Sequence, residues 1–92
     1  GELLLEGLGR LRRRLAWLVE DVRGVGLMLG VEFPSGRLAE EVQLACFRRG
    51  LLVLEAGESA VRLSPPLVVT ADQARTALRL FIEAVEEVAA GE

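Results

Sequence analysis

The chain has 92 residues, a formal net charge of −3 and 51% hydrophobic residues, which is typical of one compact domain with a single core and excludes a disordered segment. All eleven of its basic residues are arginines, and it contains no lysine, histidine, tyrosine or asparagine. No side-chain amine is therefore available to form an imine, and no histidine can serve as a base or a metal ligand. We expect no metal site, because the single cysteine, Cys46, cannot build a zinc site by itself.

The sequence also predicts the cellular compartment of the protein, the number of its domains and whether it is part of a longer chain. No apolar run approaches the roughly 18–20 residues of a membrane-spanning helix, and no signal-peptide layout opens the chain. We expect one cytoplasmic domain over residues 1–92 that has no membrane contact. Since Met28 is the only methionine, we also expect the chain to be an excerpt, a processed product or a tag-cleaved protein.

A leucine stripe at spacings of four and three residues predicts a first amphipathic helix over about residues 2–19. Its members are Leu4, Leu8, Leu11, Leu15 and Leu18. Four arginines lie mostly off this stripe, at positions 10, 12, 13 and 14, and acidic residues flank them. A solvated helix face is the favoured interpretation, so we expect no nucleic-acid partner, although a nucleic-acid patch is an open alternative.

A change of period from helical to two predicts one strand within residues 22–33, with Leu27, Leu29, Val31 and Phe33 on its buried face. Two glycines at positions 24 and 26 suggest a bend or a bulge before this strand. A further glycine, Gly30, would let a ligand or another backbone approach closely.

The second half of the chain predicts a helix, two strands and a last helix. Helical spacing runs from Leu38 to Arg49, and Gly50 supplies a left-handed cap. Residues 51–54 are predicted as a short buried strand, residues 55–60 as a hairpin connection and residues 61–63 as the returning strand, which the two prolines at 65 and 66 end. Thr70 and Gln73 form a capping box that opens a helix closing near Gly91.

The predicted fold is therefore α+β, a two-layer sandwich of order α-β-α-β-β-α. Its three-stranded, mainly antiparallel sheet has the returning strand in the middle and helices packed on one face. The helix side is expected to carry Leu27, Leu29, Val31, Val61 and Leu63. The opposite side is expected to carry Met28, Gly30, Glu32 and Arg62.

Arg62 is the candidate functional residue, because it lies in an apolar strand and cannot lose its charge. Its side chain must reach solvent, pair with a carboxylate or bind an anionic ligand. One interpretation is a cross-strand pair with Glu32, worth about 0.2–1 kcal/mol if exposed. The other is that a second domain or a substrate meets Arg62 on the uncovered face.

Three segments in order carry a family resemblance: VRGVGLMLGVE at residues 22–32, RGLLV at 49–53 and VRLSPPL at 61–67, followed by the capped helix. The chain resembles the C-terminal small domain of class III pyridoxal-phosphate aminotransferases of the acetylornithine, ornithine and 4-aminobutyrate type. This resemblance implies transfer of an amino group from an amino acid or ω-amino acid to a 2-oxo acid. It also implies that Arg62 binds a substrate carboxylate.

The resemblance further implies what this chain lacks. The family's cofactor-binding lysine and its phosphate loop belong to a large domain with no counterpart in these residues, so we expect no catalytic and no cofactor-binding residue here. The pyridoxal 5'-phosphate would belong to the parent enzyme, and the chain alone would be inactive. Expected partners are the missing large domain, small amino-acid and 2-oxo-acid substrates, and a second copy through the uncovered sheet face.

A stand-alone α+β binding or regulatory module is the alternative function, since small sandwiches of this size often bind amino acids or pair through exposed sheets. The genomic sequence upstream of Gly1 separates the two hypotheses. A long open reading frame supports the enzyme fragment, and a nearby start codon supports the module.

Overall fold

Three helices and four strands make up the computed structural model of the protein, which describes residues 2–25, 28–63 and 70–92. The helices are α1 (Glu2–Arg14), α2 (Gly36–Arg48) and α3 (Ala71–Ala90), and the strands are β1 (Asp21–Val25), β2 (Met28–Glu32), β3 (Leu54–Ala56) and β4 (Ala60–Leu63).

The strands form one sheet in the order β1-β2-β4-β3, and every neighbouring pair is antiparallel. The predicted α+β class is confirmed, as is the central place of the strand that contains Val61, which lies antiparallel to both of its neighbours. The described sheet nevertheless has four strands, where the sequence predicted three.

The additional strand is β1, which falls mostly within the stretch of residues 22–33 that was predicted as a single strand and pairs antiparallel with β2. Gly24 explains why β1 was missed. It pairs with Leu29, whose side chain is buried, and a Cβ at Gly24 would lie 3.2 Å from Leu29 Cδ2. A glycine at this core-facing position removes the apolar signal that a strand of period two would otherwise show. Leu27 lies outside the described residues.

The predicted buried strand over residues 51–54 is also wrong. β3 begins only at Leu54 and lies at the edge of the sheet, where Leu52 is 74% and Leu54 46% exposed. Within this run Val53 is the residue that reaches the core, and its carbonyl accepts a hydrogen bond from the α2 side chain of Gln43 at 3.4 Å. The prediction was wrong because a continuous apolar run is also typical of a strand that is buried on both faces.

The ends of the helices follow their local signals. Ser35 caps α2, because its Oγ accepts a hydrogen bond from the backbone N of Leu38 at 3.2 Å. Gly50 follows α2 with φ +80°, and the predicted capping box of Thr70 and Gln73 opens α3 with both reciprocal hydrogen bonds. α1 ends at Arg14, earlier than predicted.

One hydrophobic core joins the three helices to one side of the sheet. Its sheet residues are Leu29, Val31, Val61 and Leu63, and Val53 joins them from the segment before β3. Its largest fully buried helix residues include Leu8, Leu11, Val42, Phe81 and Val85. Among the described helices, none combines the length and the apolar character needed to cross a bilayer.

Candidate functional site

The sheet side that faces away from this core is called here the open face, and it carries Gly30, Glu32 and Arg62. Strand register places these residues, because β2 pairs with β4 so that Gly30 lies opposite Arg62 while Val31 lies opposite the core residue Val61. Successive side chains of a strand point to opposite faces. The predicted placement of Gly30, Glu32 and Arg62 on one face is confirmed, whereas the side chain of Met28 lies outside the described part.

Two rows of residues cross the open face. One row runs Arg23, Gly30, Arg62 and Leu54, and the next runs Asp21, Glu32, Ala60 and Ala56. Charged side chains are therefore concentrated over β1, β2 and β4, with a glycine between the two arginines.

The Arg62 side chain is only partly exposed, and its Nε is buried without a hydrogen-bond partner. None of the hydrogen bonds or ion pairs within residues 2–25, 28–63 and 70–92 involves its guanidinium. Neighbours on either side anchor its backbone, since Val61 is fully buried and Leu63 is 8% exposed. A buried donor of a charged group that lacks a partner is unusual in a folded protein and points to an acceptor that completes it.

Neither the backbone conformation nor close packing requires a glycine at position 30, and Gly30 leaves space beside Arg62. Its φ is not positive, unlike those of Gly50 and Gly57. A Cβ at Gly30 would have as its nearest contact the backbone oxygen of Arg23, at 4.0 Å. Alanine would be more favourable than glycine in an ordinary strand, so a glycine at this position leaves the surface beside Arg62 without a side chain.

Glu32 does not pair with Arg62, so the cross-strand interpretation of the sequence is not what the structure contains. Ser59 Oγ donates to Glu32 Oε1 at 2.6 Å, and Arg23 Nη2 lies 3.7 Å from Glu32 Oε2. Arg23 Nε also lies 3.3 Å from Asp21 Oδ2. Sequence reasoning missed Ser59 and Arg23, because their neighbours depend on the unpredicted strand β1 and on the register of β4.

The other residues that the sequence analysis considered offer less for binding or catalysis than Arg62. Cys46 is buried in the core, which confirms the prediction of a small buried hydrophobe, and burial raises the pKa of its thiol to about 11. No cluster of potential metal ligands occurs in the described part of the chain. The predicted proline stop at residues 65 and 66 lies outside the described residues.

Three of the four arginines of the first helix contact acceptors. Arg14 Nη1 lies 2.9 Å from Glu86 Oε2, Arg10 Nη1 lies 3.9 Å from Glu6 Oε1, and Arg12 Nε donates to the carbonyl of Glu20 at 3.0 Å. This arrangement is typical of a solvated helix face.

Among the residues of the open face, Arg62 has the chemistry that suits a carboxylate. A guanidinium presents parallel donors that match the two oxygens of a carboxylate, and such charge-assisted pairs are shorter and about twice as strong as neutral hydrogen bonds. Arg62 supplies the donors, and Gly30 supplies the clearance beside them.

Comparison of the sequence of this chain with known sequences finds similar enzymes. The family model described as aminotransferase class-III matches residues 1–85. An acetylornithine aminotransferase from Gloeobacter violaceus is 44% identical over 81 residues, which are 88% of this chain and 20% of that protein. A diaminobutyrate–2-oxoglutarate transaminase from Wolinella succinogenes is 36% identical over 88 residues, which are 94% of this chain and 21% of that protein.

Solved structures agree with the sequence matches. A lysine aminotransferase from M. tuberculosis, in its internal aldimine form, superimposes with a TM-score of 0.89 at 31% identity. The match covers 96% of this chain and 20% of that one. The chain thus spans about a fifth of the length of the proteins it resembles.

Proposed function

We propose, since this chain belongs to the class III aminotransferase family, that it is the C-terminal small-domain part of a pyridoxal-phosphate-dependent aminotransferase. Such an enzyme moves an amino group from an amino acid or an ω-amino acid to a 2-oxo acid. The observation that carries the proposal is Arg62, whose Nε is buried without a partner beside the unfilled position Gly30. Names of the relatives support this reaction class, because all three describe transfer of an amino group.

The proposed role of Arg62 is to bind and orient the substrate carboxylate. Two parallel N–H groups fix a carboxylate in one plane, and this sets the direction in which the rest of the substrate extends from the site. The flanking core residues Val61 and Leu63 hold the strand in place, so the backbone that carries the Arg62 side chain is fixed before the substrate arrives. A lysine could supply the charge but not the fork.

The residues of this chain do not fit the cofactor, and the cofactor is therefore assigned to the remainder of the enzyme. The sequence contains no lysine, so no side chain of these residues can hold pyridoxal phosphate as an imine. We accordingly propose that the chain alone has no aminotransferase activity and contributes the carboxylate site only.

The open face then has a partner, which we propose is the large domain of the same enzyme. Arg23 and Leu54 are exposed at the two ends of the row through Arg62, and a face of mixed polar and apolar character suits an interdomain contact. Without that domain, the chain is expected to self-associate through the same face. Sedimentation velocity as a function of concentration tests this, and a strict monomer at high concentration would contradict it.

A two-part experiment tests the proposed function. The reading frame upstream of Gly1 is sequenced, and the complete enzyme and the 92-residue chain are assayed for amino transfer from acetylornithine and 4-aminobutyrate to 2-oxoglutarate. We expect a long upstream reading frame, activity of the complete enzyme with at least one donor and none of the chain. A start codon close to Gly1 would instead favour a self-contained binding module.

A further inference from the structure

Glu32 is the carboxylate nearest to Arg62 in the register of β2 and β4, but its oxygens are engaged elsewhere. Glu32 lies opposite Ala60, and Arg62 lies opposite Gly30, so the two charged residues are diagonal neighbours on one face. Diagonal cross-strand neighbours lie about 7–8 Å apart, which long side chains can span. Opposite charges in this arrangement are expected to pair, and the lack of a pair needs a physical cause.

Two groups hold Glu32 in its observed position. Ser59 Oγ donates to Oε1 at 2.6 Å, a length typical of a strong hydroxyl-to-carboxylate bond. Arg23 Nη2 lies 3.7 Å from Oε2 on the other side, so both carboxylate oxygens have a partner. Ser59 is itself fixed by its backbone, because its carbonyl accepts from the N of Phe33 at 2.8 Å.

We propose that Ser59 and Arg23 are positioning residues that hold Glu32 away from Arg62 and so keep the guanidinium available for the substrate carboxylate. This inference rests on the proposed function, because it concerns the same carboxylate site. If the two contacts were removed, Glu32 could turn toward Arg62 and compete with the substrate for the same donors. Competition of this kind weakens substrate binding and leaves the chemical step of the bound substrate unchanged.

The first test observes Arg62 directly in the 92-residue chain. The nitrogen-15 resonance of its Nε–H is compared by NMR between the wild type, Ser59→Ala and the double variant Ser59→Ala/Arg23→Gln. We expect the resonance to move in the variants, most in the double one, and to return when Glu32→Gln is added. An unmoved resonance in both variants would overturn the inference. If the double variant does not fold, Ser59→Ala alone is used for the test, since it keeps the hydrogen bond from the backbone N of Phe33 to the carbonyl of residue 59.

The second test measures steady-state kinetics of the complete enzyme. The double variant should raise the KM for the amino donor roughly 1.4- to fivefold, the range of one cross-strand ion pair, with kcat unchanged. Adding Glu32→Gln should restore KM. The matched control Glu55→Gln should not, because Glu55 lies opposite Val61 and so projects to the other side of the sheet.

The outcomes separate this inference from the proposed function. If Arg62→Ala raises KM but the double variant does not, the positioning role is wrong and the carboxylate site stands. If Arg62→Ala leaves KM unchanged, the carboxylate site itself is wrong.

Discussion

Gly30 lies directly opposite Arg62 on the neighbouring strand, and a Cβ at Gly30 would have free space around it. A methyl group there would meet no atom closer than 4.0 Å. Gly30→Ala should therefore raise the free energy of unfolding by about 0.5–1 kcal/mol, because alanine loses less backbone entropy in a strand. If the space serves the substrate, the same variant of the complete enzyme should have a higher KM for its donor.

Urea unfolding of the chain and steady-state kinetics of the complete enzyme check the two halves of this prediction. A larger side chain, Gly30→Leu, should raise KM further. A stable variant with unchanged KM would show that the space beside Arg62 has no role in binding.

Two phenylalanines on neighbouring helices test the placement of the core. Phe81 of α3 is fully buried, whereas Phe47 of α2 is 69% exposed. Phe81→Ala should lower the free energy of unfolding by about 3–5 kcal/mol, because it deletes a buried ring and leaves a cavity. Phe47→Ala is the matched control and should change it by about 0.5 kcal/mol or less. Equal losses in urea unfolding would contradict the core described above.

Cys46 should be unreactive in the folded chain. Burial raises the pKa of its thiol to about 11, although the nearby charge of Arg49 acts in the opposite direction. At about pH 8, on the order of a thousandth of the thiol is then thiolate. Iodoacetamide should label the chain in urea and leave it unlabelled in buffer, as read by intact mass. Rapid labelling of the folded chain would contradict the burial of Cys46.

Glu87 should make the stability of the chain sensitive to acid. Hydrogen bonds from Arg49 and Arg48 lower the pKa of Glu87 below its ordinary value of 4.5, and the Arg48 Nη2 to Glu87 Oε2 distance is 2.6 Å. A group with a lowered folded-state pKa stabilises the fold above its unfolded-state pKa, and this contribution is lost as the pH falls through the folded-state value. Stability should therefore decrease below about pH 4.5.

The measurement is the urea midpoint of the wild type and of Glu87→Gln between about pH 6 and about pH 3. At about pH 6 the variant should have a lower urea midpoint than the wild type. Its midpoint should decrease less on acidification, since the variant has no carboxylate to protonate at position 87. Parallel curves for the two proteins would show that this ion pair does not contribute to the acid sensitivity.

Local signals predicted more of the fold than of the site. The capping box at Thr70, the cap at Gly50 and the central place of the Val61 strand follow from short patterns, and the structure confirms them. β1 was not predicted, because Gly24 lies on the core side of the sheet and a glycine there interrupts the period-two pattern of apolar residues. The neighbours of Glu32 could not be predicted either, since they depend on β1 and on a serine in the connection before β4. Register between strands far apart in sequence is set by packing of the whole sheet, which period-two patterns do not encode.

The role of Arg62 is tested most directly by the KM for each carboxylate substrate, the amino donor and the 2-oxo acid, in the complete enzyme with Arg62→Ala, Arg62→Lys and the control Arg75→Ala. Arg75 is an exposed arginine of α3 that pairs with Asp72. Loss of hydrogen bonds to a charged group predicts a rise in KM of about 10- to 100-fold for the alanine variant, a smaller rise for the lysine variant and no change for the control. An Arg62→Ala enzyme whose KM equals that of the Arg75→Ala control would contradict the account.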